Sequence, residues 1–133
     1  MDKPIRIYQC EDSTDGILSA VYDAGLSGYG HKFIRIRPMV KNQIDNYELF
    51  TEYVQVETDP EKAAKVAETV KEKISREAYS FMMSAVISEY PDRGDAIYQF
   101  VTYGFTMGAK VCSALQIPCV ERIFAIKRAV QNE

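Results

Sequence analysis

Within twenty residues of the N-terminus the spacing of apolar side chains changes from two to that of a helix, which commits the chain to open as a β-α unit. Ile5 and Ile7 flank Arg6 as they would on a half-buried strand, whereas Ile17, Ala20, Val21 and Ala24 recur at helical spacing. The change falls at the acidic stretch Asp12 to Asp15. The Asp12 carboxylate is placed to accept from the amide of Asp15 or its neighbour, and acidic side chains in a first turn meet the positive end of the helix dipole. Phe33 to Arg37 alternates again, with Ile34 and Ile36 on one side and Phe33, Arg35 and Arg37 on the other, and Pro38 ends it. Strand, helix and strand in succession predict a right-handed parallel crossover. Between helix and strand, Gly25-Leu-Ser-Gly-Tyr-Gly30 ends the helix at Gly25 and turns the chain. It lacks the Gly-Lys-Ser/Thr ending of a phosphate loop and follows a helix, so a plain turn is favoured.

Asn42 to Phe50 is irregular and reads as a loop or a single helical turn. A third strand is expected at Tyr53 to Glu57, with Val54 and Val56 inward and Gln55 outward. Thr58-Asp-Pro-Glu starts a helix, capped by Thr58 or Asp59, whose apolar stripe is Ala63, Val66, Val70 and Ile74. Ser75 either caps a new helix or is passed through. Ala78, Phe81, Met82, Ala85 and Val86 then extend a helical face to Tyr90-Pro91. A further helix is expected from Asp95 to Ser113, with Ile97, Val101, Phe105, Gly108 and Cys112 on one side and Phe100, Tyr103 and Met107 widening the apolar arc. Gly104 and Gly108 each cost about 1 kcal/mol against alanine in a helix, which a close backbone approach would account for. The final helix, with Val120, Ile123, Phe124, Lys127 and Val130, is apolar enough to need a partner surface. The expected fold is α+β: a small sheet of about three strands with an N-terminal crossover helix and a C-terminal helical bundle.

At 133 residues the chain is expected to form one domain, the sheet and first helix over 1–58 and the helical part over 59–133. No apolar run approaches the ~20 residues of a membrane span. Met1-Asp-Lys-Pro4 does not read as a signal peptide, so the expected location is the cytoplasm, with no membrane partner. The three cysteines, Cys10, Cys112 and Cys119, are odd in number and lie among apolar residues, which argues against a disulfide framework. With one histidine and no Cys-x-x-Cys pair, neither a metal nor another cofactor is expected. The net charge of −3 removes the easiest argument for nucleic acid but leaves room for a local basic patch.

Such a patch has one candidate. His31 to Lys41 carries Lys32, Arg35, Arg37 and Lys41 with no acid, whereas Asn42 to Glu61 carries Asp45, Glu48, Glu52, Glu57, Asp59 and Glu61 with no base. Either strands of opposite charge pair side by side, the favoured reading, or the cations form an exposed patch for phosphate. In the second case Tyr29, His31, Lys32, Arg35, Arg37 and Lys41 are the candidate nucleic-acid-binding residues. Tyr29, Phe33, Tyr98 and Tyr103 could stack on bases, although core packing is the favoured role for Tyr98 and Tyr103. Cys10, at a strand end before a helix, sits where a thiol can be activated, but nothing completes a site around it and three nearby acids oppose a thiolate. His31 could bind an anion, and Glu11, Asp12 and Asp15 could hold a hard cation, though a surface turn and helix capping explain them as well.

The segment Ile-Tyr-Gln-Cys-Glu-Asp-Ser-Thr-Asp-Gly-Ile-Leu-Ser-Ala-Val-Tyr-Asp-Ala at 7–24 resembles the opening of a bacterial family assigned to DNA metabolism or DNA repair. In that family a strand ending in Tyr-Asp-Gly-Ser-Phe-Glu-Gly precedes a Leu-x-Ala-Val-Phe-Asp/Glu-Ala helix. Thr58-Asp59 with Lys62-Ala63 and Val66, Tyr103-Gly104-Phe105 with Gly108, and Arg128, Val130, Asn132 and Glu133 extend the likeness over nearly the whole chain, in short matches that include no catalytic signature. The resemblance implies a radical S-adenosylmethionine protein as partner and, in some members, fusion to a domain similar to uracil-DNA glycosylases. Members usually continue past Asn132-Glu133, so the chain is expected to be a fragment or a truncated member. The expected function is an accessory domain in DNA metabolism or repair that binds DNA or a repair partner without chemistry of its own. The alternative is an interaction module for the radical enzyme or for the missing C-terminal region, and an enzyme built on Cys10 or His31 ranks last.

Overall fold

The computed structural model describes residues 3–39 and 49–131. Strand β1 (Ile5–Glu11) leads into α1 (Thr14–Leu26), and a 3-10 turn (His31–Phe33) leads into β2 (Ile34–Met39). β3 (Thr51–Gln55) is followed by α2 (Pro60–Lys73), α3 (Arg76–Ile87), α4 (Arg93–Met107), a 3-10 segment (Gly108–Ser113) and α5 (Pro118–Gln131). The fold is α+β, with five α-helices and a parallel sheet ordered β2-β1-β3 among the described residues. No helix among the described residues is long and apolar enough to cross a membrane.

Register assigns the sheet faces. Tyr8 stands opposite Ile36 on β2 and Val54 on β3, and Gln9 stands opposite Arg37 and Gln55. Partners in register share a face. Tyr8, Cys10, Ile34, Ile36 and Val54 therefore pack under the helices, and Ile5, Ile7, Gln9, Arg35, Arg37 and Tyr53 share the opposite face. The Ile5/Ile7 alternation reads as a strand with one apolar face, but a central strand is covered on both. Ile7, Tyr8, Gln9 and Cys10 are all buried, and it is Tyr8 and Cys10 that join the helical core.

Several element ends differ from the sequence reading. Ser13 rather than Asp12 caps α1, its Oγ accepting from the Gly16 amide at 3.0 Å. Gly16 is required there, because a Cβ would lie 2.3 Å from the Glu11 carbonyl oxygen. The helix passes through Gly25 and stops at Ser27, whose hydroxyl donates to the Ala24 carbonyl, and the chain turns at Gly28 and Gly30, both with positive φ. β3 lies at 51–55 rather than 53–57. α2 is capped by Asp59, which accepts from the Glu61 amide at 2.9 Å. The buried Ser19 hydroxyl holds Asp59 from α1, accepting from its amide and donating to its carbonyl. Ser75 caps α3 by accepting from the Ala78 amide.

The helix expected over 95–113 is α4 followed by the 3-10 segment. Gly108, with φ 67° and open space around it, ends α4, so only Gly104 is a close approach: a Cβ there would lie 2.5 Å from Ile74 Cδ1. Tyr103 and Phe105 project outward, so the buried arc is narrower than the sequence suggests. The apolar face of α5 finds its partner surface within the chain, against α3 and α4. The start of α4 seats on the outer edge of β2. The Ile36 amide donates to Asp95 Oδ1 at 2.8 Å, and Gly94 lets the two backbones meet, since a Cβ there would lie 2.4 Å from the Ile36 carbonyl oxygen. Burial pushes the Asp95 carboxyl up.

Candidate nucleic-acid interface

Because β1 separates β2 from β3, those two strands do not pair, and the favoured side-by-side pairing of a basic with an acidic strand is overturned. Arg6 on β1 forms an ion pair with Glu52 on β3 at 2.9 Å. Among the described residues no carboxylate lies within 4 Å of Lys3, Lys32 or Arg35.

Lys3, Arg6 and Lys32 gather around two rings at the amino end of the sheet. Lys3 Nζ lies 5.0 Å from the Tyr29 centroid and 5.7 Å from that of Phe33. The Arg6 guanidinium sits 3.7 Å over Tyr29, and Lys32 Nζ lies 5.1 Å from the Phe33 centroid. Hydrogen bonds fix the arrangement: Lys3 Nζ donates to the Tyr29 carbonyl and the Tyr29 hydroxyl to the Pro4 carbonyl, each at 2.7 Å. One Arg35 nitrogen donates to the Lys32 and Ile34 carbonyls at 3.0 and 2.9 Å. The left-handed turn through Gly28 and Gly30 brings Tyr29 and Phe33 back over the first residues of β1. Within a Debye length of about 8–10 Å these cations act together with Glu52, which is paired with Arg6.

The predicted site residues thus divide. Lys32 lies over Phe33 and Arg35 bonds the Lys32 carbonyl, whereas Tyr29 meets Lys3 and Arg6. Tyr29 is half-buried with its ring already covered by Arg6, so it positions cations rather than offering a bare stacking face. His31 borders the cluster and turns its Nδ1 to the Tyr98 hydroxyl at 2.6 Å, the rings meeting edge to face. Arg37, on the same sheet face as Arg35, lines a different cleft with Asp12, Ser13 and Arg93 at the carboxyl ends of the strands. Lys41 lies outside the described residues. Lys3 and Arg6 were absent from the sequence reading. Arg6 is on the helix-facing side of β1, where its aliphatic stem runs to the sheet margin and its head reaches out to Tyr29, as long cationic side chains do.

The other candidates have structural duties. Cys10 is buried, and burial first, then Asp12, pushes its thiol up to about 12, so it stays protonated at neutral pH and is no nucleophile. Glu11 accepts from the Thr58 hydroxyl at 2.8 Å, and Asp12 pairs with Arg93. Among the described residues no cluster of His, Cys, Asp and Glu could hold a metal. Tyr98 is buried, as favoured, and burial pushes its phenol up to about 12. A cavity of about 430 Å³ between α1, α2 and α4 is lined in part by His31 and Lys65. Comparison of the chain with protein-family models, curated proteins and solved structures finds no match.

Proposed function

We propose that the chain is a binding domain that grips the phosphate backbone of a nucleic acid through Lys3, Lys32 and Arg35, as an accessory to DNA metabolism or repair and without chemistry of its own. The observation that carries this reading is the gathering of Lys3 and Lys32 at the Phe33 ring, with Arg35 bonded to the Lys32 carbonyl and no described carboxylate within 4 Å of any of the three. Arg6, already paired with Glu52, contributes less. The likeness of residues 7–24 to a DNA-metabolism family is consistent with the reading, and the burial of Cys10 favours binding over catalysis. Three phosphate contacts predict a log–log salt slope of about −2 on single-stranded DNA. Fluorescence anisotropy between 20 and 200 mM salt, roughly the range over which such contacts weaken, measures it. The triple variant Lys3→Glu, Lys32→Glu, Arg35→Glu should abolish both binding and slope, and binding unchanged by these substitutions contradicts the reading.

A second reading is an interaction module for a protein partner such as a radical S-adenosylmethionine enzyme. Its support is Leu49 and Phe50, 86% and 89% exposed, just ahead of β3, whose only strand neighbour among the described residues is β1. Co-purification with such an enzyme, lost in a Leu49→Ser, Phe50→Ser variant, would favour it. Retention of the partner by that variant would count against it.

A further inference from the structure

The cavity between α1, α2 and α4 combines an apolar interior with charge of one sign. Val21, Val66 and Val101, all buried, line it beside the rings of Tyr22 and Phe105. Leu26 and Phe105, 71% and 50% exposed, also line it, so large apolar side chains that a packed core would cover stand open along it. Its volume of about 430 Å³ lies near the lower end of the ~300–1,000 Å³ of small-molecule sites.

None of the thirteen lining residues is acidic, and Lys65 is cationic. Two lysines of α2 reach the Tyr22 ring, and they differ. Lys62 Nζ, 5.7 Å from the centroid, is paired with Asp23 at 2.9 Å. Lys65 Nζ lies 5.9 Å from the same centroid, and among the described residues no carboxylate is within 4 Å of it, that of Glu61 one turn earlier included. The other polar lining groups are hydroxyls and one imidazole. His31 Nδ1 and the Tyr98 hydroxyl meet at 2.6 Å, and the Thr69 and Thr102 hydroxyls bond carbonyls of their own helices. Lys65 is thus the charged group of the lining that no acid neutralises.

We propose that this cavity binds a small monocarboxylate, its apolar body against Val21, Val66, Val101, Tyr22 and Phe105 and its carboxylate on Lys65. A cationic ligand would find no acid in the lining, and a phosphate dianion would have one lysine for two charges. The inference needs neither the cations at the amino end of the sheet nor a nucleic acid, so it goes beyond the phosphate reading.

The full chain is titrated with octanoate, butanoate, 1-octanol and octylammonium and followed by amide NMR. Octanoate should shift the amides of Thr69, Val101 and Thr102 and bind tighter than butanoate by about two- to fourfold for each added methylene, the range from half to full burial. It should bind up to about fivefold tighter than octanol, the reach of one exposed ion pair, with octylammonium weakest. Lys65→Met keeps an apolar stem and removes the charge. It should cancel the lead of octanoate over octanol and leave octanol binding unchanged, and Lys65→Glu should hand the lead to octylammonium. Leu26→Ser with Phe105→Ser, both at exposed positions, should weaken all the eight-carbon probes several-fold. Equal binding of octanoate and octanol by the parent overturns the carboxylate assignment, as does a lead over octanol that survives in Lys65→Met. Shifts confined to the exposed Leu49–Phe50 edge, or no shifts at millimolar octanoate, overturn the cavity as a site. None of these outcomes touches Lys3, Lys32 and Arg35, whose salt-dependent binding of DNA is measured separately.

Discussion

The seat of α4 on β2 can be tested with a single methyl group. In Gly94→Ala the new Cβ would lie 2.4 Å from the Ile36 carbonyl oxygen and 3.1 Å from its carbon. Both are backbone atoms of a buried strand, so α4 must lift. Overpacking of this kind costs about 1–3 kcal/mol. Lifting also breaks the bond from the Ile36 amide to Asp95 and leaves a buried donor unpaired, a further ~1–3 kcal/mol. Against this stands a helix-propensity gain of at most about 1 kcal/mol, reduced in a first turn. The net expectation is a loss of about 2–4 kcal/mol, a large share of the ~5–15 kcal/mol typical of a domain. For a chain this size that is a fall in Tm of roughly 6–15 °C. Urea unfolding followed by circular dichroism measures it, with Gly25→Ala as the control. At Gly25 a Cβ meets open space, so the same substitution should stabilise by about 0.5–1 kcal/mol. If Gly94→Ala proves as stabilising as Gly25→Ala, α4 does not rest on the strand edge.

Cys10, Cys112 and Cys119 are all buried with their thiols pushed up, so a maleimide at pH 8 should label none of them until the protein unfolds; rapid native labelling of Cys10 would show that β1 is not the central strand. Asp92 and Asp95 should give pH effects of opposite sign. The two Arg122 bonds lower Asp92 below its ordinary 3.8, so its contribution is present above that pH and is lost as pH falls through the lowered native value. Because this pair is half exposed the loss should stay under about 1 kcal/mol, and Asp92→Asn should flatten that part of the acid limb in urea titrations from pH 5 to 2, roughly the carboxylate range. Burial raises Asp95, so its stabilising effect is present in acid and is lost as pH rises through its native value. Asp95→Asn, which keeps the acceptor for Ile36, should therefore be more stable than the parent at pH 7, with the gain shrinking toward acid; a gain independent of pH would refute the buried charge.

The periods that lie within one element were legible in the sequence. Ile34 and Ile36 face the core as alternation predicts, and Val66 and Val70 are buried on the stripe assigned to them. What depends on neighbours was not. The two-sided burial of β1 follows from its central place between β2 and β3, which no local pattern announces. The same sheet order keeps Glu52 on β3 from standing beside Arg35 on β2. Ser13 displaces Asp12 as the cap because Arg93, 81 residues on, takes the Asp12 carboxylate. The cation cluster was half visible. Lys32 and Arg35 are close in sequence, but Lys3 and Arg6 join them only because Tyr29 folds back over Pro4, a contact 25 residues apart. The cavity shared by Tyr98, His31, Thr69 and Thr102 draws on three separate segments and leaves no trace in any one of them.

The phosphate grip is tested most directly by mapping where a single strand touches the protein, using amide and arginine side-chain NMR during titration with a short deoxythymidine oligomer at low salt. The strand should perturb Lys3, Lys32, Phe33 and Arg35 together, and added salt should reverse the shifts in step with the affinity. Perturbations confined to the Leu49–Phe50 edge or to the far ends of the strands, or no perturbation at all, would contradict it.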